Sequence, residues 1–257
     1  VFLIAQNNDS TYHKDATTTQ SIDEVVITAS RFETYKFNTP DAIEVNQVKI
    51  AEKYQLRTSP EALQATPGVF VQKTNHGGGS PFLRGLTGNQ TLLLIDGIRL
   101  SNSTMRYGPN QYLNTIDVFS AYKIEVLRGS GSVQYGSDAL GGTIQTFSYH
   151  LDFNEKTDWG GRLLTRFATQ GMEKTLHCRL NFSNKKLAFT AGISLRDFGD
   201  LVGGDTTGIQ IPSGYRELDY DLKGKIKLAQ KSILTLAYQS VYQMDVPVYH
   251  KVELENY

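Results

Sequence analysis

The stretch Leu218-Asp219-Tyr220-Asp221-Leu222-Lys223-Gly224-Lys225-Ile226-Lys227-Leu228 decides the fold. Its even positions are Leu, Tyr, Leu, Gly, Ile and Leu, and every odd position is charged. A period of two places each set on one face of a strand. The pattern recurs upstream in Leu187 to Phe198, where Leu187, Phe189, Ala191, Ile193 and Leu195 oppose Thr190, Gly192, Ser194 and Arg196. It recurs in Thr175 to Ser183, with Leu176, Cys178, Leu180 and Phe182 against His177, Arg179, Asn181 and Ser183. Leu163, Thr165 and Phe167 against Arg162 and Arg166 form a weaker example, and Ser232 to Gln243 carries Leu234, Leu236, Tyr238 and Tyr242 on its apolar face.

Segments of about 9 to 12 residues exceed the five or six usual in soluble sheets and suit a tilted membrane crossing. Connections alternate: 184–186 and 230–231 are tight, whereas 199–217 is long and glycine-rich. Short turns on one side and long loops on the other are the outer-membrane barrel arrangement. A soluble antiparallel sandwich is the rival, and the charged inner face argues against it. Five strands cannot close a barrel, and an unclosed edge cannot sit in lipid. The sequence therefore reads as a piece of a larger protein that continues beyond residue 257.

Composition narrows the function. The 257 residues hold 26 basic and 26 acidic side chains, so the broad positive field of a nucleic-acid binder is missing. One cysteine excludes a disulfide framework or cysteine-based zinc site, and five scattered histidines lack the close pairs of a zinc enzyme. No 18-residue apolar run marks a transmembrane helix. Val1-Phe2-Leu3-Ile4-Ala5 reads as the tail of a signal-peptide core, with the chain beginning inside its own export signal. Residues 6–39 read as a flexible N-terminal segment containing a β-branched stretch at 23–29. Residues 40–148 read as a small α+β unit and 158–257 as barrel strands. In the α+β unit, 46–54 and 59–65 are expected helices, the second capped by Ser59 with Pro60 following. Residues 69–72, 91–95 and 123–127 are expected strands.

Three signatures make the chain recognisable. The first is Asp23-Glu24-Val25-Val26-Ile27-Thr28-Ala29. The second joins Pro81-Phe82-Leu83-Arg84-Gly85 to Leu92-Leu93-Leu94-Ile95-Asp96-Gly97-Ile98-Arg99. The third runs from Ile124-Glu125-Val126-Leu127-Arg128-Gly129 to Tyr135-Gly136-Ser137-Asp138-Ala139-Leu140-Gly141-Gly142-Thr143-Ile144. In this order, ahead of alternating strands, they resemble the TonB-dependent outer-membrane receptors, most of all the haem, haemoglobin and siderophore branch. Ser130 departs from the proline common in the family.

The resemblance implies an α+β plug domain followed by transmembrane antiparallel strands of a 22-stranded barrel, the plug inside the barrel and the N-terminus periplasmic. It implies that Asp23 to Ala29 is the TonB box, an extended peptide able to add as an edge strand to TonB, which an inner-membrane complex energises. Arg84 and Arg128 match plug arginines that pair with acidic residues of the barrel wall, here expected beyond residue 257. Such a pair is either a latch or a static tie. The expected activity is import of a scarce nutrient, an iron complex such as haem or a ferric siderophore, with cobalamin as the alternative. Outer-membrane lipid is the surrounding partner. No covalent chemistry, catalytic residue, resident cofactor or metal is expected.

Two loops, 75–80 and 103–112, fall where the family places outward-facing plug loops. They make His76, Arg106 and Tyr107 the ligand-contact candidates, with His76 reading first as a solvated loop histidine. His177 is expected to line the lumen beside Arg179, and Tyr220 and Tyr238 to face lipid. The glycine-rich run is not a nucleotide loop: Gly131 to Ser137 has Ser137 where a phosphate loop needs lysine, and Gln134 stands at the third glycine of a dinucleotide pattern. Tight turns explain those glycines better.

Overall fold

A computed structural model describes residues 24–48, 54–73, 76–100, 108–109, 111–169 and 172–247. Within it lie two five-stranded sheets and three two-stranded ones. In the N-terminal half the elements are β1 (Val25–Val26), β2 (Thr34–Tyr35), β3 (Ile43–Gln47), β4 (Val69–Gln72), β5 (Ser80–Leu83), β6 (Thr91–Ile95), β7 (Ile98–Arg99), β8 (Ala121–Arg128) and β9 (Gly142–Ser148). Their main sheet has the order β3-β8-β9-β6-β7, antiparallel except for the parallel pair β6 and β9. Leu92, Leu93 and Leu94 are all buried, the signature of a strand covered on both faces. Leu63, Leu83, Leu93, Leu113, Ile124, Val126 and Ile144 close the core beneath the sheet.

The expected α+β character is realised mainly as β. Among the described residues the helical elements are a helical residue at Val48, inside the expected helix 46–54, one α-turn, Ser132–Tyr135, and four short 3-10 turns. Asn46 and Gln47, expected to open a helix, belong to β3, and 49–53 lie outside the described residues. The second expected helix shrinks to a 3-10 turn at Glu61–Leu63, because its capping group is spent elsewhere: the Ser59 hydroxyl donates to the Ile116 carbonyl. In the glycine-rich run, Gly136 closes the α-turn at φ +79°, a conformation that side chains other than glycine rarely adopt.

The C-terminal half is β10 (Asp158–Ala168), β11 (Glu173–Ser183), β12 (Leu187–Phe198), the small hairpin β13 (Leu201–Val202) and β14 (Ile209–Gln210), β15 (Tyr215–Ala229) and β16 (Ser232–Met244). Strands β10-β11-β12-β15-β16 form one antiparallel sheet. It is built inside out. Thr175, His177, Arg179, Thr190, Ser194, Arg196, Glu217, Asp219 and Asp221 are buried, while Leu222, Leu236 and Tyr238 are 52%, 62% and 56% exposed. The buried polar face turns to the N-terminal half, as a barrel lumen turns to whatever fills it. Among the described residues the sheet is open, with β10 and β16 as its edges. Tyr220 and Tyr238 lie on the outward face, as expected, with their rings stacked 5.9 Å apart.

Candidate functional site

Three adjacent strands place an arginine on the inward face, and all three grip the same turn of the N-terminal domain, Asp117 to Ser120. The Arg196 guanidinium donates to Asp117 Oδ1 at 2.6 Å, to Glu217 Oε1 at 3.0 Å and to the Arg57 carbonyl at 2.9 Å. Arg179 forms a fork with both oxygens of Asp221, at 2.8 and 2.9 Å, and donates to the Phe119 carbonyl at 3.1 Å. Arg166 pairs with Glu173 and donates to the Leu56 carbonyl. The Phe119 ring lies 4.7 Å from the Arg196 guanidinium, 5.6 Å from that of Arg166 and 4.9 Å from the His177 ring. Cations over an aromatic face away from water attract it strongly. Ser194 donates to Asp117 Oδ2 and takes its second bond from His177 Nδ1. His177 therefore faces inward as expected, but it touches the plug rather than merely lining a wall.

A lower set of ties joins the same two halves. Lys223 donates to Asp96 and Ser148, and Lys225 to the Leu151 carbonyl. The plug is thus fastened to the wall along β8, β9 and the turns flanking them. Sequence reasoning missed this clasp. The inward arginines were visible in the alternation, but nothing near Asp117 or Phe119 marked them as their partners.

Residues 24–39, expected to be a flexible tether, are folded onto the underside of the plug. Val25 and Val26 pair with Tyr35 and Thr34, and Val26, Thr28 and Ala29 are buried against Ile43 and Leu127. One buried carboxylate holds the segment: Glu125 Oε2 accepts from Ile27 N at 3.0 Å, Thr28 N at 2.8 Å and Thr28 Oγ1 at 2.6 Å. Lys123 neutralises its other oxygen at 2.6 Å. Tyr135 and Gln134 donate to the carbonyls of Thr28 and Ala29. The side chains that hold it, those of Lys123, Glu125, Gln134 and Tyr135, come from about a hundred residues downstream. That distance is why a local reading saw only a polar, mobile peptide. Asp23 lies outside the described residues.

Arg128 pairs at 3.0 Å with Glu44 of the plug's own edge strand, and the wall acids expected for the two plug arginines lie beyond residue 257. Glu44 also holds Lys36, which holds Glu24, so a chain of charges runs from Arg128 back to the N-terminal segment. Arg84 is exposed, at φ +53°, and pairs with no carboxylate among the described residues. Arg106 and Tyr107 lie outside the described residues.

His76 is not solvated. It is 3% exposed, its ring edge-on to the stacked rings of Phe198 and Tyr215 of the wall, and its Nε2 accepts from Arg57 Nη1 at 3.1 Å. Glycines 77–79 let the loop approach this closely: a Cβ at position 77 would stand 2.7 Å from the Tyr215 ring. Burial first, then the Arg57 and Lys73 charges, pull the imidazole pKa down to about 4. The unfolded chain protonates His76 near pH 6.5, whereas the folded one resists until about pH 4. Stability present above pH 6.5 is therefore lost as the pH falls through that window. Melting the intact receptor at pH 7 and pH 5 should show His76→Gln losing up to about 2 kcal/mol less than the parent over that interval. Identical pH dependence in both would refute the assignment.

An inside-out antiparallel sheet of five strands thus clasps the N-terminal domain through its buried polar face. Residues 35–143 match the TonB-dependent Receptor Plug Domain. The vitamin B12 transporter BtuB of Vibrio vulnificus (strain CMCP6) is 29% identical over 217 residues, covering 83% of this chain and 33% of the relative. That of Vibrio cholerae serotype O1 (strain M66-2) is 36% identical over 187 residues, covering 71% of this chain and 27% of the relative. Among solved structures, the pyoverdine outer membrane receptor FpvA of Pseudomonas aeruginosa PAO1 superposes with a TM-score of 0.66 at 16% identity, over 85% of this chain and 30% of that one. The siderophore receptor PiuA of Acinetobacter baumannii does so with 0.61 at 21%, over 82% and 27%. Residues 35–143 thus carry the plug domain of TonB-dependent receptors, and the proteins matched are transporters and receptors. The chain spans about a fifth to a third of the length of the vitamin B12 transporters it matches.

Proposed function

We propose that the protein carrying this chain is an energy-coupled importer of the outer membrane, with the plug inside the barrel and residues 23–29 reaching the periplasm as the TonB box. The observation that supports this most is the docked segment 24–29. Its strand-forming residues are parked on a two-residue partner, β2, and on a single carboxylate, both of which another strand can replace. TonB would add to Val25 and Val26 in place of β2, main chain to main chain. Pulling on that strand would then break the bonds to Glu125, while the clasp on Asp117 and Phe119 keeps the rest of the plug seated. No bond of the nutrient is made or broken.

The nutrient is a scarce, bulky complex, either cobalamin or an iron complex such as haem or a ferric siderophore. The matched vitamin B12 transporters put cobalamin first in order of testing. The siderophore receptors share the fold at identities too low to carry a substrate. A strain lacking the full gene should fail to grow when one of cobalamin, haem or ferric siderophore is the sole source, and regain growth with the gene restored. Normal growth on every source would remove the proposed nutrient classes.

A further inference from the structure

Charge is segregated between the two ends of the barrel sheet. The short-turn end carries Lys156, Lys185, Lys186, Lys227 and Lys231, all exposed. Against them stand Asp152, bonded to His150, Glu155, paired with Lys185 at 2.8 Å, and Asp158. Lys156, Lys186, Lys227 and Lys231 have no carboxylate within ion-pair distance among the described residues. The opposite end holds Asp197, Asp200, Asp205 and Asp245 against Lys174 and Arg216. The lysines are contiguous: the Lys227 amide donates to the Lys186 carbonyl, and the Asn154 amide to that of Asn184.

Immediately above them on the outward face sits an aromatic cluster. Trp159 and Phe182 pair across β10 and β11 with ring centroids 4.7 Å apart, and Phe182 and Phe189 across β11 and β12 at 5.6 Å. Aromatic girdles mark the level where hydrocarbon gives way to headgroups. Unpaired lysines just past that level stand where headgroup phosphates lie, and each such charge near an anionic surface attracts it by about 1 kcal/mol.

We infer that this rim is a binding surface for anionic phospholipid headgroups in the periplasmic leaflet of the membrane. The inference rests on reading β10 to β16 as membrane-spanning. Long methylene stems let the ammonium groups reach the phosphates from this level. The lipid ring would brace the short turns against the pull that the plug transmits to the wall.

The test uses the full receptor reconstituted in nanodiscs with equal amounts of phosphatidylglycerol and phosphatidylcholine, extracted gently and weighed by native mass spectrometry. The parent should retain phosphatidylglycerol in preference to phosphatidylcholine, less so at high salt. Joint replacement Lys156→Gln, Lys186→Gln and Lys231→Gln should lower that preference by roughly fivefold for each lysine, and the corresponding arginine triple variant should keep it. A receptor that inserts but holds the two lipids equally, or a glutamine variant that keeps the full preference, overturns the inference alone. A receptor that fails to insert overturns the membrane-spanning reading and the inference together.

Discussion

Replacing Arg196 by methionine is expected to unseat the plug from the wall, at a cost of about 3–5 kcal/mol. Arg196 is buried and donates to Asp117 and Glu217, with Asp219 3.8 Å away and fully buried. Without the guanidinium these acidic groups face one another with no cation among them, and a buried charge stripped of its partner is far costlier than an exposed one. The Phe119 ring loses its closest cation at the same time. Methionine fills the space, so the loss reports charge and hydrogen bonds rather than a cavity. The full receptor should melt at a lower temperature, and protease should cut the plug while the barrel survives. Adding Asp117→Asn should recover part of the loss, because one of the stranded charges is then gone. Wild-type melting and protection in Arg196→Met would mean the plug is seated by other contacts.

Glu125→Ala is expected to free the N-terminal segment without disturbing the sheet behind it. A single carboxylate oxygen accepts three hydrogen bonds from Ile27 and Thr28, and hydrogen bonds to charged groups contribute about 1.5–3 kcal/mol each. Even with compensation by water, about 3 kcal/mol of docking is lost, a factor of roughly a hundred in the population of the released segment. Hydrogen exchange at the Ile27 and Thr28 amides should accelerate by about that factor, while β8 and β9 beyond position 125 stay protected. Unchanged exchange at both amides would show that Val26 packing on Ile43 and Leu127 holds the segment unaided.

The barrel half was legible in the sequence because its pattern is local. A strand with one apolar outward face and one polar face packed on a neighbouring domain must alternate at every residue, and Leu218 to Leu228 does so. The register and the short turns at 184–186 and 230–231 follow from the same alternation. The plug's edges were less legible. Asn46 and Gln47 join β3 only because β8 lies beside them. Ser59 abandons its helix cap only because Ile116 offers a carbonyl. The site was least legible of all. His76 sits among glycines that read as an open loop, yet the residues covering it, Phe198 and Tyr215, lie more than a hundred positions later. The Glu44 carboxylate that Arg128 pairs with lies 84 residues earlier, on the strand beside it. Asp117 and Phe119 carry no local pattern, and only the convergence of β10, β11 and β12 gives them meaning.

If transport is driven through the docked N-terminal segment, its removal separates binding of the nutrient from uptake. Binding and uptake of the nutrient found by the growth test should be compared in cells carrying the intact receptor and one lacking residues 23–29. Surface binding of the labelled nutrient is expected to stay at the parental level while its accumulation inside the cell falls to background. Undiminished accumulation without those residues would contradict that expectation.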